Sequence, residues 1–494
     1  MKRGLLTVPA VLAALPLLAA VEFGTPFSDN AVLQREREIP VWGRADAGTD
    51  VEVSFAGRTV AAKADADGRW RVKLPALSAS KENRTLVAVA RKDGRETGRA
   101  EAKNVLVGEV WFASGQSNME LPIWFGHERF RDRNGGLMVA MTHLPNIRIA
   151  WNPHVWSVEP RFGYRSDWRP LVPASFADGR WCSAIAFYFA RELYLALDVP
   201  IGIVESSWGG TSIDPWTPRC GYEDCDPSIR ATADYAVKAK FDKAKDAVGP
   251  ITSEKQQPTV LWNGMVEAWC PMAMRGLIWY QGCSNASGPE AYVYCAKMHA
   301  LYNGWSRMFG NPDMKLYFCQ LAPYRWNRMA LILQQTKFAA EEPHAAIVAT
   351  ADVGNFDDIH PNEKEIVARR LAVHALKRDY GFDIPEDDSP VLRSATYGNG
   401  EVKLAFDHVR SWYVYAPDRS VEPAFEVAGR HGGWKPAKLL GVSENGAVTG
   451  TVLTVRSEEV KEPVMVRYLG RNRSMGTLFN EVSLPLGPFQ DQKK

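Results

Sequence analysis

The stretch Gly108-Glu109-Val110-Trp111-Phe112-Ala113-Ser114-Gly115-Gln116-Ser117-Asn118-Met119-Glu120 is an apolar run that stops in a polar, glycine-containing turn. Its apolar part, Val105 to Ala113, reads as a strand. Four similar runs follow along the chain: Ile201 to Ser206, Gly276 to Gln281, Leu316 to Leu321 and Ala346 to Asp352. Between or after them lie helical patterns at about Ser183 to Leu197, Glu290 to Met308, Leu331 to Glu341 and Asn362 to Arg378. The last is the clearest, with Val367, Leu371 and Ala375 spaced along one face. Strands alternating with amphipathic segments predict βα units and a parallel sheet. The expected fold is therefore α/β, a doubly wound α/β/α layer over residues 104–383.

Outward from that layer the texture changes. Residues 21–103 show short alternating strands broken by turn residues, among them Glu38 to Gly43, Asp50 to Phe55, Arg69 to Leu74 and Thr85 to Ala90. That spacing predicts an N-terminal β-sandwich. Residues 384–494 return to strand-and-turn texture (Val402 to Phe406, Val448 to Val455, Pro463 to Tyr468), which predicts a second, C-terminal β-sandwich-like domain. Residues 1–20 carry Lys2 and Arg3 ahead of an apolar run broken by Pro9 and Pro16, the pattern of a secretory signal peptide. The expectation is a secreted or periplasmic protein with no membrane span in the mature chain, an uncleaved N-terminal anchor being the alternative.

With 494 residues the chain exceeds what one hydrophobic core organises, so several domains are expected. A net charge of +2 from 59 basic and 57 acidic residues creates no field suited to nucleic acid or an anionic membrane. Seventeen tryptophans and sixteen tyrosines offer rings on which sugars stack, although such rings also dominate burial. The seven cysteines are an odd number, so at least one is unpaired within the chain, and Cys220 and Cys225 are close enough in sequence to close a small loop. No CxxC pair and no HExxH motif occurs, so neither a metal nor a cofactor is expected.

In open parallel sheets the ligand site lies beyond the carboxyl ends of the strands. Four of the five strand candidates end in polar or glycine-rich segments: Ser114 to Met119, Ser206 to Thr211, Gly282 to Asn285 and Asp357 to Pro361. A serine hydroxyl becomes a useful nucleophile only when a base takes its proton and donors await the oxyanion. These segments supply each part. Ser117 offers a hydroxyl and a backbone amide, Gly209 or Gly210 a second amide, Asn285 a side-chain amide, and His360 a base preceded by Asp357 and Asp358. Singly, each is an ordinary turn, loop or capping residue; their co-occurrence at successive strand ends carries the assignment.

The assembled segments resemble the SGNH hydrolase superfamily, and within it the sialate O-acetylesterase family. Gly108 to Glu120 is similar to that family's nucleophile block, Ser206 to Thr211 to its second block, Trp279 to Asn285 to its third, and Asp358-Ile359-His360-Pro361 to its last. Asn30 to Arg35, Val41 to Gly43, Pro463 to Tyr468 and Leu478 to Asn480 extend the resemblance into both flanks. It implies Ser117 as nucleophile, His360 as base, and Ser117, Gly209 or Gly210, and Asn285 around the oxyanion. Gln116, Trp208 and Gln281, within the same blocks, are expected to bind substrate. For the acid, Asp357 is favoured over Asp358, because SGNH enzymes commonly place an aspartate three residues before the histidine. Members usually carry a glutamate where this chain has Cys283, which removes a charge and a strong acceptor there.

The implied activity is hydrolysis of acetyl esters on sialic acid or related glycans, the partner being an acetylated glycan or small sugar. An acetyl xylan or other polysaccharide deacetylase of the same fold, and a catalytically degenerate glycan-binding protein, are the alternatives. A binding protein has no need of the serine, histidine and aspartate together.

Overall fold

The structure is a computed structural model that describes residues 21–123, 142–176, 182–227, 229–230, 253–415, 424–443, 446–448 and 450–493. The leader expected at residues 1–20 lies outside the described residues, as do residues 124–133. Among those described, no helix is long and apolar enough to cross a membrane.

The central sheet is built from β1 (Arg95–Gly115), β2 (Leu144–Trp151), β3 (Trp168–Leu171), β4 (Ile201–Ser207), β5 (Gly276–Tyr280), β6 (Lys315–Cys319) and β7 (Ala345–Val348). Their spatial order is β3-β2-β4-β1-β5-β6-β7. All neighbours run parallel except the edge strand β3, which is antiparallel to β2. β4 and β5 are buried at every residue, as expected of strands covered on both faces.

Alternate residues feed two apolar clusters. Trp111, Ala113, Ile201, Ile203 and Ile278 pack with α2 (Ala184–Leu197) and α5 (Lys364–Arg378). Val110, Phe112, Val204, Leu277 and Trp279 pack with α3 (Tyr294–Phe309) and α4 (Met329–Glu341). α2 begins where the Ser183 hydroxyl accepts the Ala186 amide at 3.1 Å and ends at Asp198 in the left-handed conformation. On α5 the expected stripe Val367, Leu371 and Ala375 is buried.

The N-terminal strands join the central sheet through a shared strand. Strands Asp50–Phe55 and Ser80–Lys92 pair in series onto the first half of β1, and Val32–Gln34 lies parallel to its middle. One strand thus runs unbroken through residues 103 and 104, where the texture changes, and the apolar cluster of the N-terminal strands is continuous with one face of the central sheet. The C-terminal region has its own core. A seven-stranded antiparallel sheet and a three-stranded one enclose Leu404, Phe406, Trp412, Phe425 and Tyr468. All seven cysteines are free, so Cys220 and Cys225 do not pair.

At the start of the apolar half of β1, the fully buried carboxylate of Glu109 accepts from both Arg275 Nε and Nη2 at 3.0 Å, from Gln34 Nε2 at 3.1 Å and from Arg35 Nε. Burial alone would raise its pKa, but these donors hold it below the usual glutamate value. This stabilisation is present above the unfolded pKa and is lost as pH falls through the depressed folded one. Glu109→Ala strands two guanidinium groups and is expected to lower the unfolding free energy by about 3–5 kcal/mol, read by chemical denaturation. A loss under about 1 kcal/mol would show that the knot is not structural.

Candidate active site

The three central strands leave the sheet in register. Gly115 of β1 lies beside Ser207 of β4 and beside Tyr280 of β5, so the three following turns emerge side by side. At Gly115 φ is +142° and an added β-carbon would sit 2.3 Å from the Tyr280 carbonyl oxygen, so the position accepts only glycine. The chain then enters the one-turn helix α1 (Ser117–Glu120), which presents Ser117 at its first position.

His360 reaches Ser117 from the loop that follows β7. Its Nε2 is 2.9 Å from Ser117 Oγ, and its Nδ1 is 3.1 Å from Asp358 Oδ1. The preference for Asp357 is corrected by this geometry. Asn355 Oδ1 accepts the amides of Asp357 and Asp358 at 2.9 and 3.2 Å, and Asp358 Oδ1 also accepts the His360 amide at 3.0 Å, which folds the Asp358 carboxylate under the ring. Asp357 points away, to Arg473 Nη1 at 3.1 Å. Burial lowers the His360 pKa, Asp358 opposes the shift, and the cations of Lys364 and Arg328 reinforce it. The imidazole is therefore held neutral and able to accept a proton.

Of the two glycines, Gly209 is the one against the serine: an added β-carbon there would lie 3.4 Å from Ser117 Cβ, whereas at Gly210 it would meet Lys255 Nζ at 3.8 Å. The Gly209 amide donates to the Glu120 carboxylate, whose other oxygen is 2.8 Å from His154 Nε2. Trp208 is nearly buried and stacks on His154 at 4.4 Å.

Asn285 is buried. Its Oδ1 accepts the Ile213 amide at 3.1 Å and Gln281 Nε2 at 2.9 Å, while its Nδ2 donates to Glu290 at 3.2 Å. Its hydrogen bonds run to these groups and not to Ser117. Gln116 and Gln281 sit beneath the turns, not in their outer wall. Gln116 Oε1 accepts from Gln281 Nε2 at 3.2 Å, Gly282 N at 3.1 Å and Ser284 N at 3.3 Å. Gln281, fully buried, also donates to the Thr211 carbonyl and accepts from the Tyr294 hydroxyl. The two glutamines tie together the turns after β1, β4 and β5.

Sequence reasoning did not single out Glu120, His154, Lys364 or Arg328. Lys364, at the start of α5, is buried and donates to Asn118 Oδ1, and Asn118 Nδ2 donates in turn to the Ile359 carbonyl at 3.2 Å. This links the Ser117 turn to the histidine loop. Burial brings Lys364 down to about 8. Its only signal in the sequence is a lysine four residues after the histidine, which reads as an exposed helix residue.

A family model described as carbohydrate esterase, sialic acid-specific acetylesterase, matches residues 107–377. The human sialate O-acetylesterase is 25% identical over 484 residues, covering 88% of this chain and 86% of that one, and the orangutan (Pongo abelii) protein of the same name is 24% identical with the same coverage. The crystal structure of a carbohydrate acetylesterase from Xanthomonas citri superposes with a TM-score of 0.81 at 30% identity, covering 96% of this chain and all of that one. A mixed α/β fold with an esterase relative over nearly its whole length makes this protein a carbohydrate esterase. It belongs to the sialic acid-specific acetylesterase family.

The electrostatics around His360 have a direct readout. Its imidazole resonance is expected to titrate below the ordinary 6.5, and Lys364→Met, which removes a cation, is expected to move the midpoint upward. An unchanged midpoint in a folded Lys364→Met variant would exclude Lys364 from the field at the imidazole.

Proposed function

We propose that this esterase removes O-acetyl groups from sialic acid or related glycans through an acyl-enzyme on Ser117, with His360 as base and Asp358 as the acid that orients it. The observation that carries the reading is the pair of contacts at His360, one nitrogen on the serine hydroxyl and the other on a carboxylate. Ser117 Oγ attacks the acetyl carbonyl carbon while His360 Nε2 takes its proton, and Asp358 stabilises the imidazolium. The tetrahedral intermediate collapses as His360 returns the proton to the departing sugar hydroxyl. Water, activated by the same imidazole, then releases acetate.

The developing oxyanion is received by the backbone amides of Ser117 and Gly209 and by the second Nδ2 hydrogen of Asn285, whose other amide contacts fix its orientation. Substrate and Glu120 compete for the Gly209 amide, and His154 is the partner that holds the carboxylate when the ester binds. The two-faced packing of the central sheet and the position of Ser117 after its middle strand support an SGNH-type layer over residues 104–383. The β-rich regions at 21–103 and 384–494 are read as flanking sandwich-like domains, and residues 1–20 as an export signal.

Labelling with a fluorophosphonate probe at neutral pH should give a single adduct on Ser117, mapped by peptide mass spectrometry, and none in Ser117→Ala. Asp358→Asn should lower kcat on an aryl acetate by about 10,000-fold, the cost of the wrong imidazole tautomer, whereas Asp357→Asn should retain near-normal turnover. The reverse ranking would return the acid role to Asp357.

A further inference from the structure

α3 and α4 pack against each other on one face of the central sheet. Near the start of the first and at the end of the second, three unlike donors converge. Cys295 and His299 are one turn apart on α3, and Glu341 is the last residue of α4. Cys295 Sγ at 3.3 Å and His299 Nε2 at 3.0 Å both meet the same carboxylate oxygen, Glu341 Oε2. The three atoms lie within 4.8 Å of one another.

The other carboxylate oxygen is turned to Lys337 Nζ at 3.7 Å, one turn back on α4. The His299 ring stands edge-on to Phe338 at 4.7 Å, which fixes the direction of its nitrogens. Cys295 is buried, whereas the His299 and Glu341 side chains are 31% and 44% exposed, so the trio has a closed inner side and an outer side open to water. The grouping around Asp387 is different, because Lys377 and Arg378 already neutralise that carboxylate beside His374.

As a hydrogen-bond cluster the trio is poor, since a thiol is a weak donor and one carboxylate oxygen serves two groups. As a ligand set it is well matched. Thiolate, imidazole and carboxylate are the donors zinc takes, and at zinc bond lengths neighbouring corners of a tetrahedron are about 3.3–3.5 Å apart. The separations here are already close to that. Sulfur and imidazole also select against magnesium and calcium, which prefer oxygen. We infer that Cys295, His299 and Glu341 bind a zinc-type divalent ion, with water as the fourth ligand, and that the ion clamps α3 to α4. The thiol proton passes to solvent as the ion binds. The clamp bears on the braced turns: Tyr294, next to Cys295, donates to Gln281, and Gln335 of α4 accepts the Leu321 amide and donates to the Cys319 carbonyl. The zinc motifs missing from the sequence are local ones, whereas Glu341 joins His299 from 42 residues away. The inference stands apart from the acyl-enzyme reading of Ser117.

The test titrates the full-length protein, reduced and stripped of metal with a chelator, with Co2+ as a spectroscopic substitute for Zn2+. One equivalent should produce a thiolate-to-cobalt charge-transfer band, and Zn2+, the tighter binder, should erase it by displacement. Cys295→Ser should lose the band, while Cys225→Ser, which removes a thiol elsewhere, should keep it. His299→Ala and Glu341→Gln should each weaken Zn2+ binding at least about 100-fold. Zn2+ should raise the Tm of the wild type and leave that of Cys295→Ser unchanged. A wild type that gives no band, a band that survives in Cys295→Ser, or a Zn2+ affinity unchanged in both other variants overturns the assignment. Should the variants not fold, the wild type decides: one equivalent of Zn2+ must protect His299 from diethyl pyrocarbonate, mapped by peptide mass spectrometry, and an unprotected His299 sinks the proposal.

Discussion

The site depends on the parallel register of three adjacent strands. Because Gly115, Ser207 and Tyr280 are in line across the sheet, the residues that follow each one occupy the same level above it. Ser117 and Gly209 are both two residues past that line, as is Gly282, the start of the turn that carries Asn285. A one-residue slip in any of these pairings would turn its strand inside out, exchanging the residues that face α2 and α5 with those that face α3 and α4. The bulk of Trp111, Phe112 and Trp279 in the two cores makes that exchange costly, since fully burying such side chains is worth about 2–3 kcal/mol each. Core packing and the geometry of the Ser117 site are thus enforced by one constraint, and the Gln116–Gln281 brace fastens the turns where the sheet's own hydrogen bonds end.

The histidine loop is positioned by different means. It follows β7, separated from β1 by the two strands β5 and β6, and reaches the serine through long-range contacts. Asn118 bonds to the Ile359 carbonyl, Arg325 to the Asp357 carbonyl, and Arg473 of the C-terminal region to the Asp357 carboxylate. The C-terminal region also meets this edge through the Gly476 amide on the Ala351 carbonyl and the Arg473 amide on the Tyr324 carbonyl. It therefore contributes to the crevice without lending a reacting group.

This division explains what the amino-acid sequence disclosed. Five of the six parallel strands and four helices were legible because each is a local apolar run ended by a turn, and the turn residues follow from where each strand stops. The edge pair β2 and β3 was not, because Pro145 and Pro170 and the charged Arg148 and Arg169 interrupt their apolar pattern. The joint between the N-terminal strands and the central sheet was hidden for the opposite reason: polar alternation and apolar burial succeed one another within the single strand β1, so a change of texture does not mark a break in the chain's path. Asp357 and Asp358 differ only in tertiary partners, one of them 116 residues away, and no local pattern separates them. The buried roles of Gln116 and Gln281 were obscured because a glutamine beside a nucleophile reads equally well as a ligand contact or as scaffold.

The charges around His360 pull in opposite directions, and their balance favours a base over a permanent imidazolium. Asp358 alone would raise the pKa and favour the protonated ring, which in the proposed mechanism cannot take the proton of Ser117. Burial together with Lys364 and Arg328 offsets that carboxylate, so the resting imidazole is neutral. In the proposed mechanism, Asp358 is already in place to stabilise the positive charge that forms when the serine proton arrives, at no cost of rearrangement. On that reading the placement of the two cations matters as much as that of the carboxylate.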